Sequence, residues 1–123
     1  MRKPTTPQRA ATALALVLAS GIFASAASAE DAPNPLAEGK KATFDRQKGN
    51  CLSCHAIEGG EMPGNVGPPL VKMKERFPDK EQLRKQIWDP TKNNPNSIMP
   101  PFGKFGLLNE QELANVVEYI YSL

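Results

Sequence analysis

The sequence predicts an all-α fold of short helices, and three observations predict it. No stretch alternates polar and apolar residues with period two, whereas apolar residues recur at three- and four-residue spacing in 36–48, 79–89 and 110–122. Ten of the 12 prolines and eight of the nine glycines lie beyond residue 29, most of them in two belts at 59–69 and 90–106, which leaves room only for short helices. The third observation is Cys51-Leu52-Ser53-Cys54-His55, a run that uses both cysteines and the only histidine of the chain. Thiols three positions apart lie on roughly one face of a helical turn, so each can close a thioether on one of the two vinyl groups of a single porphyrin. The next residue then offers an imidazole to the iron as proximal ligand. This is the C-x-x-C-H signature of covalent haem attachment, and it implies one haem c per chain.

Other chemistries share parts of this pattern. Two cysteines in an exported domain can form a disulfide. A thioredoxin-like redox pair sits in a βαβ pattern, which the sequence lacks. Structural zinc needs four ligands, and this chain stops at three.

Residues 1–29 carry Arg2, Lys3 and Arg9, then an apolar run, then Ala27-Ser28-Ala29. These are the charged region, hydrophobic region and small-residue cleavage site of a secretory signal peptide. The run is shorter than the roughly 20 apolar residues of a spanning helix, so the expectation is removal after Ala29, a periplasmic destination and no membrane span afterwards. Export agrees with the motif, because haem c is attached outside the cytoplasm. Residues 30–123 then hold twelve basic against thirteen acidic side chains, without the basic excess of a nucleic-acid binder. A single small domain with this much loop has a thin core, and a buried haem would supply apolar mass.

After a polar lead-in at 30–35, residues 36–48 place Leu36, Lys40, Phe44 and Lys48 at four-residue steps. A first helix is expected there, with Phe44 inward, Gly39 free to permit close helix approach, and Gly49-Asn50 ending it before Cys51. Gly67-Pro68-Pro69-Leu70 follows the motif by a dozen residues. A proximal histidine is commonly fixed by a carbonyl on its other ring nitrogen; Pro68 is placed to supply one, and a plain proline loop is the equal alternative. Residues 71–76 read as a short helical piece stopped at Phe77-Pro78. Asp79 with Gln82 reads as a capping-box variant opening a helix with Leu83, Ile87 and Trp88, which must end near Asp89-Pro90. Trp88 is read as a core residue in preference to a haem or partner contact.

Residues 90–101 form a long loop around Met99, held between Ile98 and Pro100-Pro101. With His55 spent, a second iron ligand must come from a thioether, an amine or water, and a stiff loop suits a thioether on a flexible side chain. Met62 lies too close behind His55 and Met73 sits in a predicted helix, so Met99 is the expected ligand. A Met/His pair raises the potential and favours electron transfer over ligand chemistry. Asn109 with Glu112 opens the last helix, 110–122, whose stripe is Leu113, Val116, Val117, Ile120 and Tyr121 with Tyr119 at its border. This helix is expected to cross the first near Gly39 and Phe44.

Taken together, residues 36–123 resemble a class I cytochrome c domain: N-terminal helix, C-x-x-C-H, Gly-Pro-x-Leu, a helix ending at proline, a methionine loop and a C-terminal helix. The resemblance implies a class I cytochrome c fold with His55 and Met99 as axial ligands, Cys51 and Cys54 as thioether sites and Pro68 as acceptor for His55. A narrower resemblance is to the SoxX family, the monohaem subunits of SoxAX sulfur-oxidation cytochromes. It rests on Gly49-Asn50-Cys51-Leu52-Ser53-Cys54-His55, Met62-Pro63-Gly64-Asn65-Val66-Gly67-Pro68-Pro69-Leu70, Arg76-Phe77-Pro78-Asp79, Gln86-Ile87-Trp88-Asp89-Pro90 and Asn94-Pro95-Asn96-Ser97-Ile98-Met99-Pro100-Pro101-Phe102-Gly103.

That family implies a heterodimer with a SoxA-like multihaem or monohaem cytochrome subunit. The complex conjugates thiosulfate oxidatively to a cysteine of the SoxYZ carrier, an L-cysteine S-thiosulfotransferase activity, and passes electrons to a downstream cytochrome c acceptor. The chain alone is not expected to be catalytic: both cysteines are committed to haem, and no second histidine is left to activate a nucleophile. A free-standing diffusible electron carrier is the alternative. Lys72, Lys74, Arg76, Lys80, Arg84 and Lys85 could steer a partner, but their interleaving with Glu75, Asp79 and Glu81 reads better as a solvated face.

Overall fold

A computed structural model describes residues 33–123; the signal-peptide reading of residues 1–29 lies outside them. Four α-helices follow in order, α1 (Pro35–Phe44), α2 (Met73–Arg76), α3 (Lys80–Trp88) and α4 (Glu110–Ser122), with 3₁₀ turns at Cys51–Ser53 and Pro90–Lys92. There is no strand among the described residues, and none of their helices is long and apolar enough to cross a membrane.

Local chemistry sets the helix ends. The Asn34 side chain accepts the amides of Leu36 and Ala37, and Pro35 sits at the first helical position, where its missing N–H costs nothing. Helix α1 stops four residues earlier than the apolar spacing suggests. Asp45 turns extended, its side chain takes the Gln47 amide at 2.8 Å and its carbonyl takes Lys48 and Asn50, so residues 45–50 form a closed turn. Lys48 therefore leaves the helix and pairs with Glu112 at 2.8 Å. Asp79 caps α3 through the Glu81 amide, without the reciprocal Gln82 side-chain bond of a capping box. Asn109 and Glu112 form the full reciprocal box that opens α4.

The core lies between α3, α4 and the loops that pass beneath them. Leu113, Val116, Val117 and Ile120 of α4 meet Leu83 and Ile87 of α3, with Ile57, Leu70, Met73, Phe102 and Leu108 filling in from loops and α2. Burial of each such side chain stabilises by about 1.5–3 kcal/mol. Tyr119 is inside the core and not at its border: it is buried, and its ring sits 6.3 Å from that of Phe44. The first and last helices lie directly against each other at Gly39. A Cβ there would stand 1.9 Å from the Asn115 carbonyl oxygen and 2.9 Å from Tyr119 Cβ, so only glycine allows this approach. Leu36, by contrast, points outward and is exposed.

Three of the basic side chains considered for partner steering are held by acids. Lys80 pairs with Glu118 at 2.7 Å, Arg84 with Glu110, and Lys72 with Glu75 at 3.5 Å. Two of these pairs link α3 to α4, consistent with a solvated face that braces the helix pair.

Candidate functional site

The loop after α1 shapes the Cys51–His55 run before any cofactor is considered. Gly49 donates to the Ala42 carbonyl at 2.9 Å, folding the chain back on α1, and a Cβ at this position would meet that oxygen at 2.8 Å. Asn50 takes the left-handed conformation (φ 46°), which asparagine tolerates better than most residues. From there Cys51–Ser53 makes a 3₁₀ turn, continued by amide bonds from Cys54 and His55 to the Cys51 carbonyl at 3.2 and 2.9 Å. The two sulfurs and the imidazole thus leave a single turn of backbone.

A second segment straps this turn down. Gly64 donates to Leu52 at 2.8 Å, Gly67 to Cys54 at 2.8 Å and Leu70 to Ala56 at 2.9 Å, so residues 64–70 run beside residues 52–56 without forming a strand. Two glycines make that proximity possible: a Cβ at Gly64 would sit 1.9 Å from the Ser53 carbonyl, and one at Gly67 would sit 2.3 Å from His55 Cε1. The strap brings the Pro68 carbonyl to 2.7 Å from His55 Nδ1. A carbonyl can only accept, so Nδ1 carries the proton and Nε2 keeps its lone pair free to bind a metal.

Arg76 supports the strap from behind. Its Nη1 donates to the Pro69 carbonyl at 2.7 Å and contacts Met73 Sδ at 3.3 Å. This places the Met73 sulfur next to the strap, and Met73 also lines the cavity described below. Met62 is 89% exposed and does not line the cavity described below.

Cys51, Cys54, His55, Pro68 and Met99 all line one cavity of about 770 Å³. Its walls are the apolar side chains of the core, among them Leu70, Phe102, Leu108, Val116 and Ile120. Met99 reaches it from the separate loop after α3. That loop is held by its own polar groups, with Ser97 bonded to the Asn94 carbonyl at 2.9 Å and Met99 N–H to Ser97 Oγ at 3.2 Å. Trp88 does not line the cavity; its indole lies under Gly103, where a Cβ would come within 1.9 Å of Cδ1. It is half-buried and packs against the core.

The donor set suits a haem. A large apolar cavity has two thiols and a metal-ready imidazole at one end and a thioether from another loop. Burial pushes the Cys51 thiol up to about 11, away from the thiolate form. Among the described residues, no three His, Cys, Asp or Glu side chains gather in a metal-binding group.

The residues that sequence reasoning proposed for the haem line the cavity, but it missed Arg76 as the prop of the strap and Asp89 with Lys104, an ion pair at 3.0 Å beneath the methionine loop in which only the carboxylate is buried. No local signal marks either one. Each depends on residues that meet only after folding, although Asp89-Pro90 at the end of a helix is a hint of a cap.

Comparison with known proteins agrees with the site. Residues 36–123 match the cytochrome c family. An uncharacterized lipoprotein of Aquifex aeolicus (strain VF5) is 34% identical over 76 residues, 61% of this chain and 37% of that protein, so the match spans little more than a third of the relative's length. The crystal structure of SoxXA from P. pantotrophus superposes with a TM-score of 0.65 at 26% identity, over 75% of this chain and 83% of that one. A helical fold, a fitted cavity and a family match over most of the chain lead to one conclusion: the protein belongs to the cytochrome c family and carries covalently attached haem c.

Proposed function

We propose that the chain is the monohaem, electron-accepting subunit of a periplasmic SoxAX-type cytochrome, active during oxidative conjugation of thiosulfate to a SoxYZ carrier cysteine. In this reading residues 1–29 are removed on export, residues 30–35 are a lead-in and residues 36–123 are the cytochrome domain. Cys51 and Cys54 hold the haem by thioethers, His55 is the proximal ligand oriented by Pro68, and Met99 is the second ligand. When bound, the haem supplies a one-electron couple at its iron. The residues around it set the state of that couple: Pro68 fixes the ring and tautomer of His55, and Leu70, Phe102, Leu108, Val116 and Ile120 give the cavity its apolar lining.

The observation that carries the reading is the likeness to SoxXA, which covers 83% of the matched chain. Met99 is favoured over Met73 because it comes from a separate loop held by its own hydrogen bonds, whereas the Met73 sulfur, which lines the same cavity, is already in contact with the Arg76 guanidinium. No cysteine remains to carry sulfur, so the conjugating nucleophile and the SoxYZ contact belong to partners. The electrons continue to a downstream cytochrome c.

The test is co-purification from cells that mature haem c, with a tagged SoxA-type subunit expressed from the same source. A stable one-to-one complex that loses thiosulfate-conjugating activity without this chain supports the proposal. A red protein of normal spectrum that elutes alone identifies a free diffusible carrier instead.

A further inference from the structure

The carboxylate of Asp89 has no exposed surface, although an isolated buried charge is costly. Its surroundings explain how it is tolerated. The Asp89 N–H closes α3 on the Lys85 carbonyl at 3.0 Å, and Oδ1 accepts the Thr91 amide at 3.2 Å and the Thr91 hydroxyl. Oδ2 accepts no hydrogen bond of good geometry; its counter-charge is Lys104 Nζ at 3.0 Å. The Thr91 hydroxyl and then Lys104 hold the carboxyl below its usual range against the opposing effect of burial.

These contacts have a common geometry. Asp89 is where the chain leaves α3, and Lys104 is where it returns after the loop that carries Met99. Beside the ion pair, Phe102 N–H meets the Ile87 carbonyl at 3.3 Å and Lys104 N–H meets the Trp88 carbonyl at 3.1 Å. The two ends of the methionine loop are thus clamped at one point, with the charge at its centre. An ion pair with one member about half exposed contributes little net stability, so stability alone does not account for its presence here.

We propose that Asp89 and Lys104 are positioning residues for Met99, clamping the loop so that the thioether is held at the iron against competing ligands. The inference rests on the assignment of Met99 as ligand. A thioether is a weak, neutral ligand, and the apparent affinity of any competitor rises in proportion to the fraction of molecules whose loop has opened. Loosening the clamp therefore shows as easier displacement, even where the fold survives.

The experiment is an imidazole titration of the oxidised holoprotein, following loss of the methionine-to-iron charge-transfer band. Lys104→Met keeps the apolar stem of a partly exposed residue and removes its charge, leaving the Asp89 carboxylate without its counter-ion, so the double variant below serves as the check on folding. Lys104→Met is expected to bind imidazole at least tenfold more tightly than the wild type, about 1.4 kcal/mol, and Lys104→Arg is expected to restore wild-type affinity. Asp89→Asn combined with Lys104→Met should recover part of the loss, because neutralising both partners removes the orphaned charge. Imidazole affinity of Lys104→Met within twofold of wild type, with the band present in both, overturns the inference and leaves Met99 as ligand. A wild-type protein without the band overturns the Met99 assignment itself, and the clamp with it.

Discussion

Replacing Gly39 by alanine sets helix propensity against helix packing, and the two predict opposite signs. In an exposed helix the change stabilises by about 0.8–1 kcal/mol. Here the new Cβ would stand 1.9 Å from the Asn115 carbonyl oxygen, 2.6 Å from its carbon and 2.9 Å from Tyr119 Cβ. Two of the three obstacles are backbone atoms of α4, which cannot rotate away as a side-chain tip would. The helices must separate by more than about 1 Å, and a gap of that size forfeits a quarter to a half of each dispersion contact across the interface. Buried Thr43 and the Phe44–Tyr119 ring pair lie along that interface and loosen with it. Overpacking costs about 1–3 kcal/mol in ordinary cores and more where backbone must move, so the net expectation after the propensity gain is a loss of about 2–3 kcal/mol. For a domain of this size that corresponds to a fall in Tm of about 10 °C or more. Guanidinium unfolding of the holoprotein reads it, with Lys40→Ala on the exposed face of the same helix as the control, expected within about 0.5 kcal/mol of wild type. A Gly39→Ala protein that is more stable than wild type would refute the packing argument.

Met99→Ala is expected to keep the haem covalently attached by mass, lose the charge-transfer band and lower the reduction potential on the order of 100 mV, since axial ligands tune potentials over a wide range; an unchanged spectrum moves the ligand elsewhere. Gly67→Ala drives a Cβ to 2.3 Å from His55 Cε1 and should displace either the ring or the strap that carries Pro68, costing about 2 kcal/mol and altering the low-spin haem spectrum; urea unfolding and absorption of the purified protein check both. The Glu112 carboxyl is held below its usual range by its hydrogen bonds with Lys48 and the Asn109 amide. A carboxyl lowered in the folded state contributes stability that is present above its unfolded value of about 4.3 and lost as pH falls through the lower folded one. Glu112→Gln should therefore lower Tm near neutral pH and converge with wild type as pH falls below the lowered folded value. Parallel curves across that window would show that the pair contributes nothing pH-dependent.

What could be read in advance was what depends on near neighbours in the chain. The Asn109/Glu112 box and the stripe of α4 are sequence-local, and the helix runs where they place it. The Asp89-Pro90 stop is equally local and ends α3 as expected. The end of α1 was misplaced because the four-residue recurrence of Lys48 is accidental: Asp45 offers its side chain to the Gln47 amide and wins the competition with the helix. At the site, the Cys51–His55 spacing announces its own chemistry, while the strap of residues 64–70 does not. Its bonds to Leu52, Cys54 and Ala56 join segments about a dozen residues apart, and its glycines look like loop punctuation until the atoms they avoid are in place. Asp89 and Lys104 are invisible for the same reason, since a charge pattern says nothing about which acid will be enclosed.

The contact at Gly39 joins the first helix to the last, and this imposes an order in time. In the exported protein proposed above, α1 and the Cys51–His55 turn precede Glu110–Ser122 by more than fifty residues. Until α4 docks, its Val116 and Ile120 are missing from the cavity wall, and the thiols stay open to haem attachment outside the cytoplasm. A stop codon before Leu113 would leave a polypeptide able to acquire its pigment but unable to finish folding around it.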